Sequence, residues 1–128
     1  MSLLLDSHII LWWMDESSKL PTTARQTIEA TTDKVFVSYA TLWEFAIKQS
    51  NGKLKMDVDA FHHNVAADGF TWLDIKPKHL TTVAQLSHFD DHKDPFDRLL
   101  VAQSLSEPLI LLTTDQKLAR YGTTVRVV

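Results

Sequence analysis

At 128 residues, 45% of them hydrophobic, the chain is long enough for one domain with a real core. A formal net charge of −3, from 13 basic and 16 acidic residues, leaves no basic footprint for blanket attraction to phosphates. The absence of cysteine excludes disulfides and thiolate zinc sites.

The opening MSLLLDSH makes Leu3 to Leu5 a short strand buried on both faces and ended by Asp6. That run is too short to span a bilayer and has no basic flank, so neither a membrane span nor a signal peptide is expected. The cytoplasm is the expected location. Ser7 to Asp15 reads as a helix with Ile9, Ile10, Trp12 and Trp13 on a broad apolar face, and Pro21 opens a second helix through Ala30. Val35 to Val37 is a strand. Ser38 can cap the helix Ala40 to Gln49, which Asn51-Gly52 stops.

Asp57 or Asp59 starts a further helix that closes at Gly69. Thr71 to Ile75 alternates as a strand, Pro77 to Phe89 reads as a helix, and Asp90 to Lys93 is a polar loop. In DPFDRLLVAQSLS, Asp94 is placed to cap, Pro95 to occupy the first helical position and Asp97 the third. Leu109 to Leu112 is another buried strand, Asp115 to Arg120 a short helix ended by Gly122, and Val125 to Val128 a last strand. Strands without polar alternation, separated by helices, predict a mostly parallel, twisted sheet covered on both faces: one α/β domain over residues 1–128.

Sites in such sheets form outside the carboxyl ends of the strands. Asp6 and Asp115 both follow a strand, Glu44 lies one to two turns into a helix that follows one, and Asp97 lies in the first turn of another helix. If the strands are neighbours, four carboxylates converge, with Asp94 a possible fifth. Like charges within about 4–6 Å raise one another's pKa and oppose folding. A divalent cation removes that conflict, and oxygen ligands suit Mg2+ or Mn2+ better than zinc. The implied chemistry is metal-assisted hydrolysis of a phosphodiester. Taken singly, each residue has a plainer reading. Asp6, Asp94 and Asp115 can cap helices, Asp97 is favoured by the helix dipole, and Glu44 with Lys48 makes a common i, i+4 pair worth roughly 0.3–0.5 kcal/mol.

The phrases LLLDSHIILWW, VSYATLWEFAIKQSNGKL, KDPFDRLLVAQS and LLTTDQKLARYG, in this order from residue 3 to about residue 127, resemble the PIN-domain family. More narrowly they resemble the VapC-type toxins of type II toxin–antitoxin modules. The resemblance implies a three-layer α/β/α fold and a Mg2+- or Mn2+-dependent endoribonuclease acting on RNA. It carries the acidic quartet onto Asp6, Glu44, Asp97 and Asp115. On that reading Asp6, Asp97 and Asp115 hold the metal, and Glu44 binds it through water or orients the attacking water. Asp94 is an accessory or capping residue, and Thr114 orients Asp115 or a bound water. Ser7 stands where many relatives have threonine, which keeps a hydroxyl beside the first aspartate. Lys48, Lys93 and Arg98 are candidates for phosphate contacts.

The family also implies a cognate antitoxin whose tail blocks the metal site, and it commonly forms homodimers. Trp12, Trp13, Trp43 and Trp72 could supply an apolar patch for either contact, with core filling the reading for at least two of them. The six histidines include His88 and His92 at i, i+4 and the adjacent His62-His63, but no third zinc ligand at a fixed spacing, so surface or capping roles are expected. Two other classes remain open. A phosphoacceptor signalling domain would need an aspartate pair after the first strand and an aspartate after a middle strand, where this chain has a lone Asp6 and VFVS. A catalytically silent RNA- or protein-binding module would gain by losing the four acids.

Overall fold

The computed structural model describes every residue from Met1 to Val128. Its strands are β1 (Leu3–Leu5), β2 (Val35–Ser38), β3 (Thr71–Leu73), β4 (Ile110–Thr113) and β5 (Val125–Val127). The helices are α1 (Ser7–Met14), α2 (Thr22–Ala30), α3 (Tyr39–Ser50), α4 (Val58–Ala67), α5 (Pro77–Val83) and α6 (Pro95–Ser106), with a 3-10 helix over Gln116–Tyr121. All strand pairs are parallel, in the order β3-β2-β1-β4-β5.

The leucine runs are apolar without alternation because both faces of the sheet are covered. Leu3 and Leu5 pack with Val35, Val37 and Leu112 against Ile9 and Ile10 of α1, Ala24 and Ile28 of α2, and Phe61 and Val65 of α4. Leu4 and Leu111, paired in register, face the other way onto Leu99, Leu100 and Val101 of α6. Side chains alternate faces with a period of two, so one LLL serves two cores. Leu4, Leu5, Leu111 and Leu112 are fully buried, each contributing roughly 1.5–3 kcal/mol relative to exposure. The result is three layers, α/β/α.

Helix starts follow the sequence closely. Ser38 accepts from the Ala40 amide at 3.0 Å, Asp57 from Ala60 at 3.1 Å, and Asp94 from Phe96 and Asp97 at 2.9 and 3.0 Å. Gly52 sits at φ +78° and Gly69 at φ +93°, the left-handed backbone that lets α3 and α4 stop. Several ends differ. Pro21 lies just before α2 rather than in its first turn. β3 stops at Leu73, not Ile75, because its ladder partner β2 ends at Ser38 where α3 begins.

The helix expected to reach Phe89 ends at Val83. The Ser87 carbonyl accepts from Arg98 instead of from a helical amide, and His92 pairs back to Phe89. That unwound stretch, residues 84–94, carries the chain to the site. His79 is a core group: its Nδ1 accepts from the Lys76 amide at 2.9 Å and its other ring nitrogen pairs with Glu107, joining α5 to the end of α6.

The chain runs from β1 outward to β2 and β3, then returns to place β4 on the other side of β1. The crevice beyond the carboxyl ends of β1 and β4 is therefore the switch point of the sheet, where open α/β folds bind ligands.

Candidate active site

Asp6 enters that crevice directly from β1. It caps α1 as well: Oδ1 accepts from the Ser7 amide at 2.7 Å, and its backbone is extended. Its other oxygen accepts from the Thr113 hydroxyl at 2.6 Å. The same hydroxyl accepts from the Asp115 amide at 3.0 Å, so one side chain ties the ends of β1 and β4 together. Asp115 in turn caps the 3-10 helix through the Lys117 amide at 2.9 Å. Capping and site placement are thus the same geometry for both aspartates.

Glu44 comes from the second turn of α3 and is buried at 7% exposure, against the plain reading of an exposed pair. Its Oε1 accepts from the Ser7 hydroxyl at 2.8 Å, which also lies 3.1 Å from Thr41 Oγ1. Its Oε2 takes Lys48 Nζ at 2.7 Å. The Lys48 side chain is 40% exposed, so the pair sits at the mouth of the site with its anion inside.

Asp97 lies in the first turn of α6, held there by the Asp94 cap and half-buried. His92, from the unwound segment, reaches it with Nε2 at 3.2 Å from Oδ2. His92, Asp97 and Asp115 each present a ligand atom, all within 4.8 Å of one another.

Burial is the main force on the Asp97 carboxyl, and the charges of Asp6, Asp94, Glu44 and Asp115 act in the same direction, pushing it up to about 8. Burial also raises the Asp6 carboxyl, with Glu44 adding to it, against the hydrogen bonds from Thr113 and Ser7 and the charge of His8. The quartet expected from the sequence is therefore one electrostatic unit. Its members come from β1, α3, α6 and the end of β4.

The sequence pattern of the PIN domain matches residues 3–123. The chain belongs to the PIN-domain family. It is 27% identical over 128 aligned positions to Ribonuclease VapC22 of Mycobacterium tuberculosis (strain ATCC 25618 / H37Rv), covering 91% of this chain and 89% of that one. A crystal structure of VapBC2 from Rickettsia felis, bound to a DNA fragment from their promoter, superposes with a TM-score of 0.73 at 17% identity, covering 100% of this chain and 98% of that one. A toxin-antitoxin complex from Klebsiella pneumoniae gives 0.67 at 17% identity, covering 98% and 96%. At those identities the two structures speak to the fold.

The donor set of this PIN domain fits a divalent cation. Several carboxylates aimed at one crevice, one of them pushed up to about 8 by burial and then by its neighbours' charges, form an array that a bound positive charge relieves.

Two expected side chains have surroundings that the sequence did not indicate. Arg98 is mostly enclosed: it is 9% exposed, Nη1 donates to the Ser87 carbonyl at 2.9 Å and the Tyr121 hydroxyl at 3.1 Å, and the guanidinium lies 5.6 Å from the Tyr121 ring centroid. The enclosing cause is α6 itself, buried continuously from Arg98 to Ser104. The threonine that orients the site is Thr113 rather than Thr114, because Thr113 continues the β4 ladder beside Asp6. Lys93 is exposed in the loop before α6.

Sequence reasoning missed Thr113, Thr41 and the burial of His92. A hydroxyl pair in LLTTD was visible, but choosing between its members needs the strand register. The phosphoacceptor reading fails at the end of β2, where Ser38 caps α3 and no carboxylate stands. Of the tryptophans, Trp12, Trp13 and Trp72 pack against the core, while Trp43 is 55% exposed and edge-on to Phe96 at 4.9 Å.

Proposed function

We propose that this PIN domain is a Mg2+- or Mn2+-dependent endoribonuclease, the toxin of a type II toxin–antitoxin pair that a cognate antitoxin neutralises. The observation that carries the reading is the convergence of Asp6, Glu44, Asp97 and Asp115 at the switch point of the sheet. The likeness to Ribonuclease VapC22 over most of both chains supports the choice of substrate. The proposed location is the cytoplasm, where RNA is met; no helix is long and apolar enough to cross a membrane.

Asp6, Asp97 and Asp115 would hold the cation, directly or through water, with Glu44 engaging its water or orienting the attacking one. Bound there, the cation supplies charge for a phosphate oxygen and a more acidic water. The protein's own part is preorganisation. Thr113 and the Ser7 amide each fill one lone pair of Asp6, fixing the carboxylate while leaving further lone pairs on both oxygens. Ser7 and Lys48 do the same for Glu44. Lys48 and Lys93 are exposed basic groups with which this edge would meet the substrate backbone. An antitoxin and a second copy of the chain are the proposed protein partners. Trp43 and Ile47, one turn apart on α3 and both exposed, give such contacts an apolar surface.

The test is incubation of total RNA with Mg2+, Mn2+ or EDTA, comparing wild type with Asp97→Asn. Discrete fragments are expected with metal, none with EDTA, and a rate at least about a hundredfold lower in the variant. Wild-type protein that is folded and loaded with metal yet cleaves no RNA would overturn the reading.

A further inference from the structure

Beside the quartet runs a chain of hydrogen bonds that starts from a fixed donor, the Arg98 guanidinium. Arg98 Nη1 stands 3.1 Å from the Tyr121 hydroxyl, that hydroxyl 2.8 Å from His92 Nδ1, and His92 Nε2 3.2 Å from Asp97 Oδ2. A guanidinium only donates, so the phenol oxygen accepts from Arg98. The phenol's own proton is then available to His92 Nδ1, 2.8 Å away, which accepts it. A neutral imidazole with an accepting Nδ1 carries its proton on Nε2. Once Asp97 is ionised, as a bound cation requires, the far end takes the same tautomer, because a carboxylate only accepts and the atom facing it then donates.

We propose that His92 is a positioning residue for Asp97, donating Nε2–H to Oδ2 in the tautomer whose Nδ1 accepts from Tyr121. The proposal rests on reading Asp97 as part of the cation-binding set. The surroundings hold the ring still. His92 is 7% exposed, and its backbone amide donates to the Phe89 carbonyl at 3.1 Å. The ring lies against Tyr121, whose other neighbour is Phe89 at 5.0 Å between centroids. Arg98 is anchored in turn by the Ser87 carbonyl.

The function of the device follows from the electrostatics of its neighbour. Asp97 sits among the charges of Asp6, Asp94, Glu44 and Asp115, which oppose its ionised form. A fixed donor on Oδ2 holds the group in place and leaves Oδ1 for the cation. Partners of this kind typically change metal affinity by about 10–100-fold. Direct ligation by His92 Nε2 is the competing arrangement. It would require Nδ1 to donate to Tyr121, with the phenol proton turned away from His92.

The decisive experiment needs no RNA, so it stands apart from the proposed ribonuclease activity. Nitrogen-15 spectra of metal-free protein at pH 9, where Asp97 is ionised, should show His92 protonated on Nε2, and Tyr121→Phe should erode that preference. A proton on Nδ1 would overturn the proposal. In parallel, Mn2+ affinity should fall about tenfold or more in His92→Leu and recover in His92→Gln, whose amide can replace the donor. Unchanged affinity in a folded His92→Leu would overturn it, as would nitrogen hyperfine coupling from His92 in the Mn2+ signal. If these arms hold while wild type leaves RNA intact, the ribonuclease reading fails and the positioning role stands.

Discussion

Asp97 carries a carboxyl raised from 3.8 to about 8, first by burial and then by the like charges of Asp6, Asp94, Glu44 and Asp115. Between those values the folded chain binds more protons than the unfolded one, so stability falls as pH rises through the window. The penalty is absent below the unfolded value and complete above about 8. In EDTA the melting temperature should therefore drop from pH 5 to pH 8.5, and drop less in Asp97→Asn. At pH 8.5 the variant should exceed wild type by at least about 1 kcal/mol, roughly 3–5 °C. Asp6 shifts in the same direction and leaves the variant part of the slope. Parallel curves for the two proteins, followed by calorimetry, would show that Asp97 does not carry this charge conflict. The acids were legible in the sequence because each closes an apolar run or opens a helix. His92 was not, since its partners stand 5 and 29 residues away and meet it only in space.

Helix α6 shows how one local motif does two jobs. Asp94, Pro95 and Asp97 read from the sequence as cap, first position and third position, and they take those places. The Asp94 side chain accepts two orphan amides, yet its charge also raises the Asp97 carboxyl. These effects separate by substitution. Asp94→Ala should cost about 1 kcal/mol through the lost cap. Asp94→Asn keeps a capping oxygen and removes the charge, so at pH 8 without metal it should be at least as stable as wild type. Urea melts of both variants decide it; equal losses would mean that the charge contributes nothing. The end of α5 was misread for the complementary reason. Nothing between Val83 and Phe89 signals a stop in the sequence, and in the fold the Ser87 carbonyl accepts from the Arg98 guanidinium rather than from a helical amide.

For the whole molecule, strand order decides where the acids meet. In the order β3-β2-β1-β4-β5 the first strand is central, and the fourth lies beside it although more than a hundred residues separate them in sequence. A cation that binds the folded crevice and not the unfolded chain stabilises by mass action, about 2.7 kcal/mol at a hundred times its Kd. Mg2+ at that excess should raise the melting temperature by several degrees, and Asp97→Asn should abolish the shift. An equal shift in the variant would place the cation elsewhere on the surface.

The sequence by itself determined the alternation of helices and strands, the two-faced burial of the leucine runs, the caps, and which carboxylates stand at strand and helix ends. These are local matters of hydrophobic period and backbone hydrogen bonding, readable over a few residues. Only the tertiary structure decided that Thr113 and not Thr114 serves Asp6, that Arg98 is enclosed, and that Tyr121, His92 and Asp97 form a chain. Register across the sheet and packing between distant segments fix those contacts, and neither leaves a trace in residue spacing.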